Sequence, residues 1–511
     1  MINRGRAGVL WRGDVADRRL ARSLAVFAAV GYGLLAGWWT PRGPLSPWEA
    51  LSAMGLGILV GFVAGLLLRS RWAMLVAPLT FVVVFELTRR GVSGPTVDGI
   101  HLTSAYGIMA FAVGRGVHAL LALLPMVLGA ALGAALARRR RSTGHRSRSF
   151  PSALGLWLRR SIAVVTGLVL VALAAFIARP ASTDPIVDAD GQTIAGSVAE
   201  LTRVEVDGRD LALMIRGRSA QNPVLLFLAG GPGGSELGAM RRHSVALEDD
   251  FVVVTFDQRG TGKSYDQLDP TDTMTLDGAV DDALAVTNYL RDRFDEDKVY
   301  LVGQSWGTTL GVLAVQQHPE LYRAYIGVGQ MVSQVATDKI FYQDTLAWAR
   351  RQGNTDLVAT LEENGPPPYT DILDYEAALT NETEVHPYDH GPNSEGAGQM
   401  SENLFVEEYT LLDQAHILGA TLDVFSVLYP QLQHIDFRTQ ATSLAVPVYL
   451  AQGRHEAPGR QLLAQEWFEQ LRAPSKELTY FDTSGHRPLW EQPAEFHDLM
   501  TDVLRDTAPT R

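Results

Sequence analysis

Five apolar stretches in the first 180 residues constrain this chain more than any other feature of its sequence. They are residues 23–39, 50–68, 72–87, 117–137 and 161–178. Each approaches the ~20 residues that cross the hydrocarbon core of a bilayer as a helix. The third, about 16 residues long, is short enough to be re-entrant, and we interpret the weakly apolar stretch 100–114 as a loop. We therefore predict an all-α transmembrane region over residues 1–180.

The distribution of charge predicts how this region is oriented. Residues 1–180 hold 21 arginines, no lysine and 5 acidic residues, a net charge of +16, whereas residues 181–511 hold 23 basic and 51 acidic residues, a net charge of −28. Sixteen of these arginines lie in the N-terminal tail, the 69–71 turn and the 138–160 segment, against four in the intervening loops. Arginine-rich loops stay in the cytoplasm. Five spans then give a multi-pass protein of the cell membrane, in contact with the lipid bilayer, whose residues 181–511 are extracytoplasmic.

A second feature is the sequence GQSWG at 303–307, between an apolar run at 299–302 and a helical pattern at 308–315. A sharp turn from strand to helix leaves no room for a Cβ two positions before or after the serine, which explains the glycines. The hydroxyl of Ser305 is then held clear of the backbone, at a helix N-terminus that favours developing negative charge. Ser305 is therefore a candidate nucleophile.

Two further motifs precede it, each after an apolar run: AGGPG at 229–233 and DQRGTGKS at 257–264. With GQSWG, they make residues 200–511 resemble the proline iminopeptidase branch of the α/β-hydrolases, whose pattern is HGGPG, DQRGxGxS and GxSWG in that order. Ala229 replaces the family's usual histidine. The chain also shows no counterpart of the tryptophan- and glutamate-bearing cap motif with which those enzymes hold a substrate α-amino group.

The resemblance implies an α/β fold, a doubly wound and mostly parallel sheet with a helical cap insertion. Alternating strand and helix patterns agree with it. We predict a linker at 181–200 and the hydrolase domain at 201–511, with the cap at about 330–445. In this fold one oxyanion-hole amide follows the nucleophile and the other comes from the glycine-rich loop. These are the amides of Trp306 and Gly230, with Gly231 as the alternative.

The remaining catalytic residues follow in the order serine, acid, histidine. His486 lies on the loop after the last predicted strand, 476–481, whereas His416, His434 and His455 follow no terminal strand. Relatives carry an aspartate in a Gly-Arg-x-Asp setting, and Glu456 stands at that position here. A glutamate can still orient an imidazole and stabilise its cation. The alternative acids are Asp482 and Asp436.

Other partners are constrained by what the sequence contains and lacks. Glu407, Glu408 and Asp413, in the predicted cap, are either acceptors for a cationic substrate amine or a solvated helix face. The chain has no cysteine, no metal-binding motif and no dinucleotide fingerprint, so we expect no metal and no cofactor. Nucleic acid is excluded as a partner of the acidic C-terminal part.

These features together predict a membrane-anchored serine hydrolase with a Ser-His-Glu triad that acts outside the cytoplasm on a peptide or other small molecule. A peptidase of proline iminopeptidase or aminopeptidase type is the leading hypothesis, because DQRGxGxS and SWG point to it. The alternatives are a carboxylesterase or lipase acting on small acyl esters, and a non-catalytic extracytoplasmic sensor that uses the hydrolase fold.

Overall fold

The computed structural model describes residues 5–139, 150–206, 208–390 and 397–508. Two compact units are present. The first comprises Met1–His101, Ile108–Pro180 and Thr410–Leu412, and the second comprises Leu102–Gly107, Ala181–Tyr409 and Asp413–Arg511.

The N-terminal region is helical. Its helices are Gly5–Trp39, Pro47–Leu68, Ala73–Thr88, Ala105–Phe111, the π-helical segments Ala112–Gly116 and Ala119–Leu123, Leu124–Arg139 and Phe150–Ala178. By length and composition, Arg19–Trp39, Pro47–Leu68, Ala105–Arg139 and Gly155–Ala178 are able to cross a membrane. The predicted span 72–87 is the 16-residue helix Ala73–Thr88. At 1.5 Å per residue it is about 24 Å long, less than the ~30 Å of a bilayer core.

The prediction of a loop at 100–114 is wrong for residues 105–114, which are helical and continue into the next apolar stretch. The arginine that interrupts the pattern explains the error. Arg115 donates from Nε and Nη2 to the two carboxylate oxygens of Glu86, each at 3.1 Å. The charge is therefore paired with an acid on another helix, a contact that the local sequence does not reveal.

Glycines bring two helices of this region into close contact. A Cβ added to Gly61 would lie 1.9 Å from the carbonyl oxygen of Met126, and one added to Gly129 would lie 2.2 Å from that of Ile58. Because only hydrogen fits at these positions, the backbones of Pro47–Leu68 and Leu124–Arg139 pack directly against each other.

The second unit is built on an eight-stranded sheet with the order β1-β2-β4-β3-β5-β6-β7-β8. The strands are β1 Val198–Val206, β2 Arg209–Gly217, β3 Val224–Leu228, β4 Val252–Phe256, β5 Val299–Gln304, β6 Tyr322–Val328, β7 Val448–Gly453 and β8 Lys476–Phe481. β1 and β2 form an antiparallel hairpin, and β2 pairs antiparallel with β4. All other pairs are parallel. The doubly wound, mostly parallel sheet predicted from the sequence is confirmed.

Helices cover both faces of the sheet. On β3, Leu226 contributes to one hydrophobic cluster while Leu225 and Phe227 contribute to the other, as alternation along a strand requires. The helices of this part of the chain are Leu237–His243, Leu247–Asp250, Leu276–Phe294, Trp306–Gln317, Gln334–Gln352, Thr355–Asn364, Ile372–Leu379, Glu382–Val385, Met400–Leu404, Leu411–Leu428, Phe437–Gln440, Pro458–Gln470, Pro488–Glu491 and Pro493–Thr507. Those between β6 and β7 occupy the predicted cap insertion.

One helix of this insertion also has the length and composition of a membrane span, Leu411–His434. Its apolar character has another source. Ala420, Val424 and Leu428 are buried in the larger hydrophobic cluster of the sheet domain, and half of the most apolar stretch is buried. Burial against the sheet accounts for the apolar sequence.

Candidate active site

Ser305 lies at a sharp turn between β5 and the helix Trp306–Gln317. Its backbone has φ 51° and ψ −118°, a strained conformation for a residue with a side chain. A Cβ on Gly303 would lie 2.5 Å from the carbonyl oxygen of Gly307, and one on Gly307 would lie 2.0 Å from that of Leu228. The turn therefore requires both glycines of the motif and holds Ser305 at the C-terminal edge of the sheet.

His486 and Glu456 are brought together at the same edge. The Nδ1 atom of His486 lies 2.5 Å from Oε2 of Glu456. Gly329, just after β6, leaves room for the imidazole at this edge, because a Cβ at that position would lie only 2.8 Å from Nδ1. The amide of Ser305 donates to the carbonyl of Val328, the last residue of β6, at 3.0 Å. Ser305 and His486 thus both adjoin the end of β6.

The charge of Glu456 is fixed by its neighbours. Burial alone would raise the pKa of this carboxyl, but the Arg460 guanidinium and His486, by charge and by hydrogen bonds, lower the pKa to about 2. Nε of Arg460 donates to Oε1 of Glu456 at 2.7 Å, and its Nη2 pairs with Glu382 in the cap. Because Glu456 is ionised, Nδ1 of His486 must be the donor. A neutral imidazole then leaves Nε2 able to accept a proton.

The alternative residues have other contacts. Asp482 is largely exposed and pairs with Arg454, while Asp436 caps the helix Phe437–Gln440 and pairs with Arg438. His455 is bonded to the Asp482 carbonyl, His434 is exposed, and His416 is stacked on Tyr265. None of these five residues is in contact with Glu456 or His486 through a described hydrogen bond or ion pair.

The glycine-rich loop contains the two glycines considered for the oxyanion hole, Gly230 and Gly231. The amide of Gly230 already donates to Oε2 of Glu236, at 2.6 Å, and is therefore engaged within the loop. Gly231 and Trp306 both line the cavity that contains Ser305. Gly230 and its alternative, Gly231, therefore differ in their surroundings: the amide of Gly230 is bonded to Glu236, and Gly231 lines the cavity. The sequence does not predict the contact between Glu236 and the Gly230 amide, because this contact depends on how the backbone turns between the two residues.

The cavity at Ser305 measures about 100 Å³ and has several aromatic rings in its lining. Its cap side includes Phe341, Tyr342, Tyr369, Tyr375, Phe425 and Tyr429. Among its described lining residues Asp338 supplies the carboxylate and Arg460 the positive charge. Burial raises the pKa of Asp338 to about 7, against the hydrogen bonds from Tyr429, Gln334 and Tyr375 and the charge of Arg460, which lower it. The hydroxyl of Tyr429 donates to Asp338 at 2.7 Å.

Glu407 and Glu408 are not among the residues that line this cavity. Glu408 is buried, and its Oε1 accepts hydrogen bonds from Thr183 and Arg241 at 2.9 and 3.1 Å. Asp413 pairs with Lys263 at 2.9 Å. The structure therefore does not bring the predicted amine acceptors to Ser305, and it places Asp338 there instead.

Sequence reasoning also missed Arg460 and Asp338. Arg460 stands four residues after Glu456, a spacing at which ion pairs form along a helix, so a signal was present. Asp338 lies in the first turns of Gln334–Gln352 and differs in no local way from other acidic residues of the cap. Only the folded cap shows that it faces the cavity.

Comparison with protein families settles the fold family. The model of the alpha/beta hydrolase fold family matches residues 223–493, more than half of the chain. This protein belongs to the α/β-hydrolase family. It is a hydrolase, and its motifs and relatives place it with the proline iminopeptidase-like branch.

Curated relatives match the C-terminal part of the chain almost over their full length. The chain is similar to a probable aminopeptidase, YbaC, of Bacillus subtilis (strain 168), with 28% identity over 314 residues, 60% of this chain and 97% of the relative. It is also similar to a proline iminopeptidase of Heyndrickxia coagulans, 23% identical over 312 residues, 59% of this chain and 97% of the relative. A solved proline iminopeptidase from Mycobacterium smegmatis is 18% identical, with a TM-score of 0.45, over 60% of this chain and 98% of that one.

Proposed function

We propose that this protein is a membrane-anchored serine aminopeptidase in which Ser305, His486 and Glu456 form the catalytic triad. Ser305 attacks the carbonyl carbon of the substrate while Nε2 of His486 takes the hydroxyl proton. The ionised Glu456 holds the Nδ1 proton and stabilises the imidazolium. The negative charge that forms on the carbonyl oxygen is received by the amides of Gly231 and Trp306.

The second half of the reaction regenerates the enzyme. The imidazolium returns its proton to the leaving amine as the C–N bond breaks, which leaves an acyl group on Ser305. Water then attacks this ester while His486 takes its proton. His486 returns that proton to Oγ of Ser305 as the ester bond breaks and the amino acid is released.

The observation that carries the aminopeptidase assignment is the carboxylate of Asp338 in the cavity that contains Ser305. A substrate with a free N-terminus brings an ammonium group, and a partly buried carboxylate among aromatic rings is a suitable partner for it. Asp338 then binds the substrate α-amino group. In the proline iminopeptidases a tryptophan- and glutamate-bearing cap motif does this, and the sequence of this chain shows no counterpart of that motif. The curated relatives named as aminopeptidase and proline iminopeptidase support the same substrate class.

Replacement of Asp338 by asparagine tests this assignment. We expect Asp338→Asn to lower kcat/KM for an aminoacyl arylamide with a free amine by about 10- to 100-fold, the range for a hydrogen bond to a charged group. The N-acetylated form of the same arylamide should be turned over equally by parent and variant. Asp344→Asn, on the same helix but paired with His386 and outside the cavity lining, is the matched control and should change neither rate.

The pH dependence of kcat/KM for the free and the acetylated arylamide tests whether the charge of Asp338 attracts the substrate amine. Since burial raises the pKa of Asp338 to about 7, the group is neutral below that pH and cannot attract an ammonium ion. The preference of the parent for the free amine should therefore rise as the pH approaches about 7 and fall once the substrate amine, with a pKa of about 8, loses its proton. Asp338→Asn should abolish the rise. A parent enzyme that prefers the acetylated arylamide, or simple acyl esters, at every pH would contradict the aminopeptidase assignment and favour an esterase.

Orientation in the membrane is a separate part of the proposal. The arginine excess in 138–160 and the scarcity of arginine in the neighbouring loops support a cytoplasmic 138–160 segment followed by an extracytoplasmic hydrolase domain. A reporter fused after Arg148 should read cytoplasmic, and one fused after Asp188 should read external. If both read cytoplasmic, the helix Phe150–Ala178 between the two fusion points does not cross the membrane. If the first reads external and the second cytoplasmic, a span before Arg148 is missing, and the 16-residue helix Ala73–Thr88 is the candidate.

A further inference from the structure

Glu236 is a carboxylate beside the nucleophile for which the triad mechanism has no use. Its Oε2 accepts the amide of Gly230 at 2.6 Å. A Cβ built on Gly230 would lie 3.1 Å from Oε1 of Glu236 and 3.4 Å from Cβ of Ser305. Oε1 of Glu236 and Cβ of Ser305 therefore both border the space that a side chain on Gly230 would fill.

The contact fixes one particular peptide group. The amide of Gly230 and the carbonyl of Ala229 belong to the same planar unit. That carbonyl accepts a hydrogen bond from Nε2 of Gln258 at 3.0 Å, and Oε1 of Gln258 accepts one from the Trp306 indole at 2.9 Å. Both polar ends of the peptide are therefore held by side chains, Gln258 on one side and Glu236 on the other.

The orientation of this peptide controls the next one. Gly230 has no Cβ, so its dihedral angles are poorly restricted and the peptide that precedes it can rotate at little cost. The following amide belongs to Gly231, which lines the cavity at Ser305. If the 229–230 peptide turned over, the direction of the Gly231 N–H bond would no longer be fixed. An oxyanion hole stabilises the transition state only when its donors are oriented before the reaction.

We propose that Glu236 is a positioning residue that holds the glycine-rich loop in the conformation in which the Gly231 amide points at the developing oxyanion. This rests on the proposed function of Ser305 and Gly231. Glu236 contacts neither substrate nor the reacting atoms in this role, and it acts through the 229–230 peptide.

If Glu236 orients the Gly231 amide, its removal should weaken stabilisation of the transition state and leave substrate binding unchanged. Oxyanion contacts are made fully only as the tetrahedral centre forms, so their loss lowers kcat and leaves KM nearly unchanged. We expect Glu236→Ala to reduce kcat by about 100-fold, the lower end of the range for removing one oxyanion donor. Glu236→Gln keeps an acceptor oxygen of the same reach and should recover most of this loss.

Inhibitor binding separates positioning from general damage. A substrate-like boronic acid forms a tetrahedral adduct with a serine nucleophile and places an oxygen in the oxyanion hole. Its Ki should rise in Glu236→Ala in parallel with the fall in kcat, while the Ki of the product amino acid stays at the parental value. Glu402→Ala is the matched control, because Glu402 likewise accepts a glycine amide, that of Gly398 at 2.8 Å, and should alter neither Ki.

Several results would overturn the proposal. A kcat for Glu236→Ala within threefold of the parent would do so, and so would a rise in KM at constant kcat, which would instead make Glu236 a substrate-binding group. If Glu236→Ala does not fold, Glu236→Asp, one methylene too short to reach Gly230, must show the same selective loss. Ser305→Ala is assayed in parallel: an active Ser305→Ala overturns the proposed function, whereas an inactive one beside a normal Glu236→Ala overturns only the role of Glu236.

Discussion

Ser305→Ala is expected to reduce kcat by about a million-fold, the scale observed when the nucleophile of a catalytic triad is removed. The substitution deletes a single oxygen at a turn whose geometry is set by Gly303 and Gly307 rather than by the hydroxyl. Alanine carries the same Cβ as serine, so the strained backbone at this position is no less accessible to it. The thermal midpoint should therefore stay close to that of the parent while turnover disappears.

The measurement pairs turnover with covalent labelling by a fluorophosphonate. The parent should be labelled once per chain, and Ser305→Ala should not be labelled. Ser426→Ala is the control, since Ser426 is likewise half-buried and its hydroxyl donates only to the carbonyl of Asp423. Activity of Ser305→Ala within tenfold of the parent, or labelling that persists, would show that the nucleophile lies elsewhere. A parent protein that is neither labelled nor active would favour the non-catalytic sensor.

Local sequence patterns were sufficient for the sheet and for most of the site. β3, β5 and the turn at Ser305 are specified by contiguous residues: an apolar run, then glycines wherever a Cβ would meet backbone. The pairing of Glu456 with His486 joins residues 30 apart in sequence. It could still be predicted, because parallel strands bring the loops at their C-terminal ends to one edge of the sheet.

Contacts that depend on the direction of a peptide or on the folded cap could not be predicted. Gly230 and Gly231 have the same local sequence pattern, and only the fold shows that Glu236, six residues after Gly230, accepts the amide of Gly230 while Gly231 lines the cavity. The sequence offers Glu407 and Glu408 as acceptors for a substrate amine and does not distinguish Asp338. Acidic residues on cap helices have the same local pattern whether they face a cavity or pair with a neighbouring side chain. The same limit explains Arg115, whose partner Glu86 lies on another helix.

Substitution of Glu456, the proposed acid of the triad, provides the second large effect. Glu456→Gln should lower kcat by about 10⁴-fold with little change in KM, because the amide retains the size of the side chain and loses the charge that stabilises the imidazolium. The amide is also able to present its NH₂ group to Nδ1, which would favour the tautomer that carries its proton on Nε2 and cannot act as a base. The neighbouring Arg460 keeps Glu382 as a partner, so the charge of the guanidinium remains paired and the fold should be retained.

The conservative variant and the alternative acids complete the test. Glu456→Asp keeps the charge and loses only reach, so its kcat should lie well above that of Glu456→Gln. Asp482→Asn and Asp436→Asn should remain near the parent, since Asp482 is exposed beside Arg454 and Asp436 serves a helix cap. If Glu456→Gln kept a parental kcat while either of these was inactive, the acid would be misassigned. Ser305, His486 and the amides of Gly231 and Trp306 would still stand, because their roles rest on the turn, the terminal loop and the cavity rather than on Glu456.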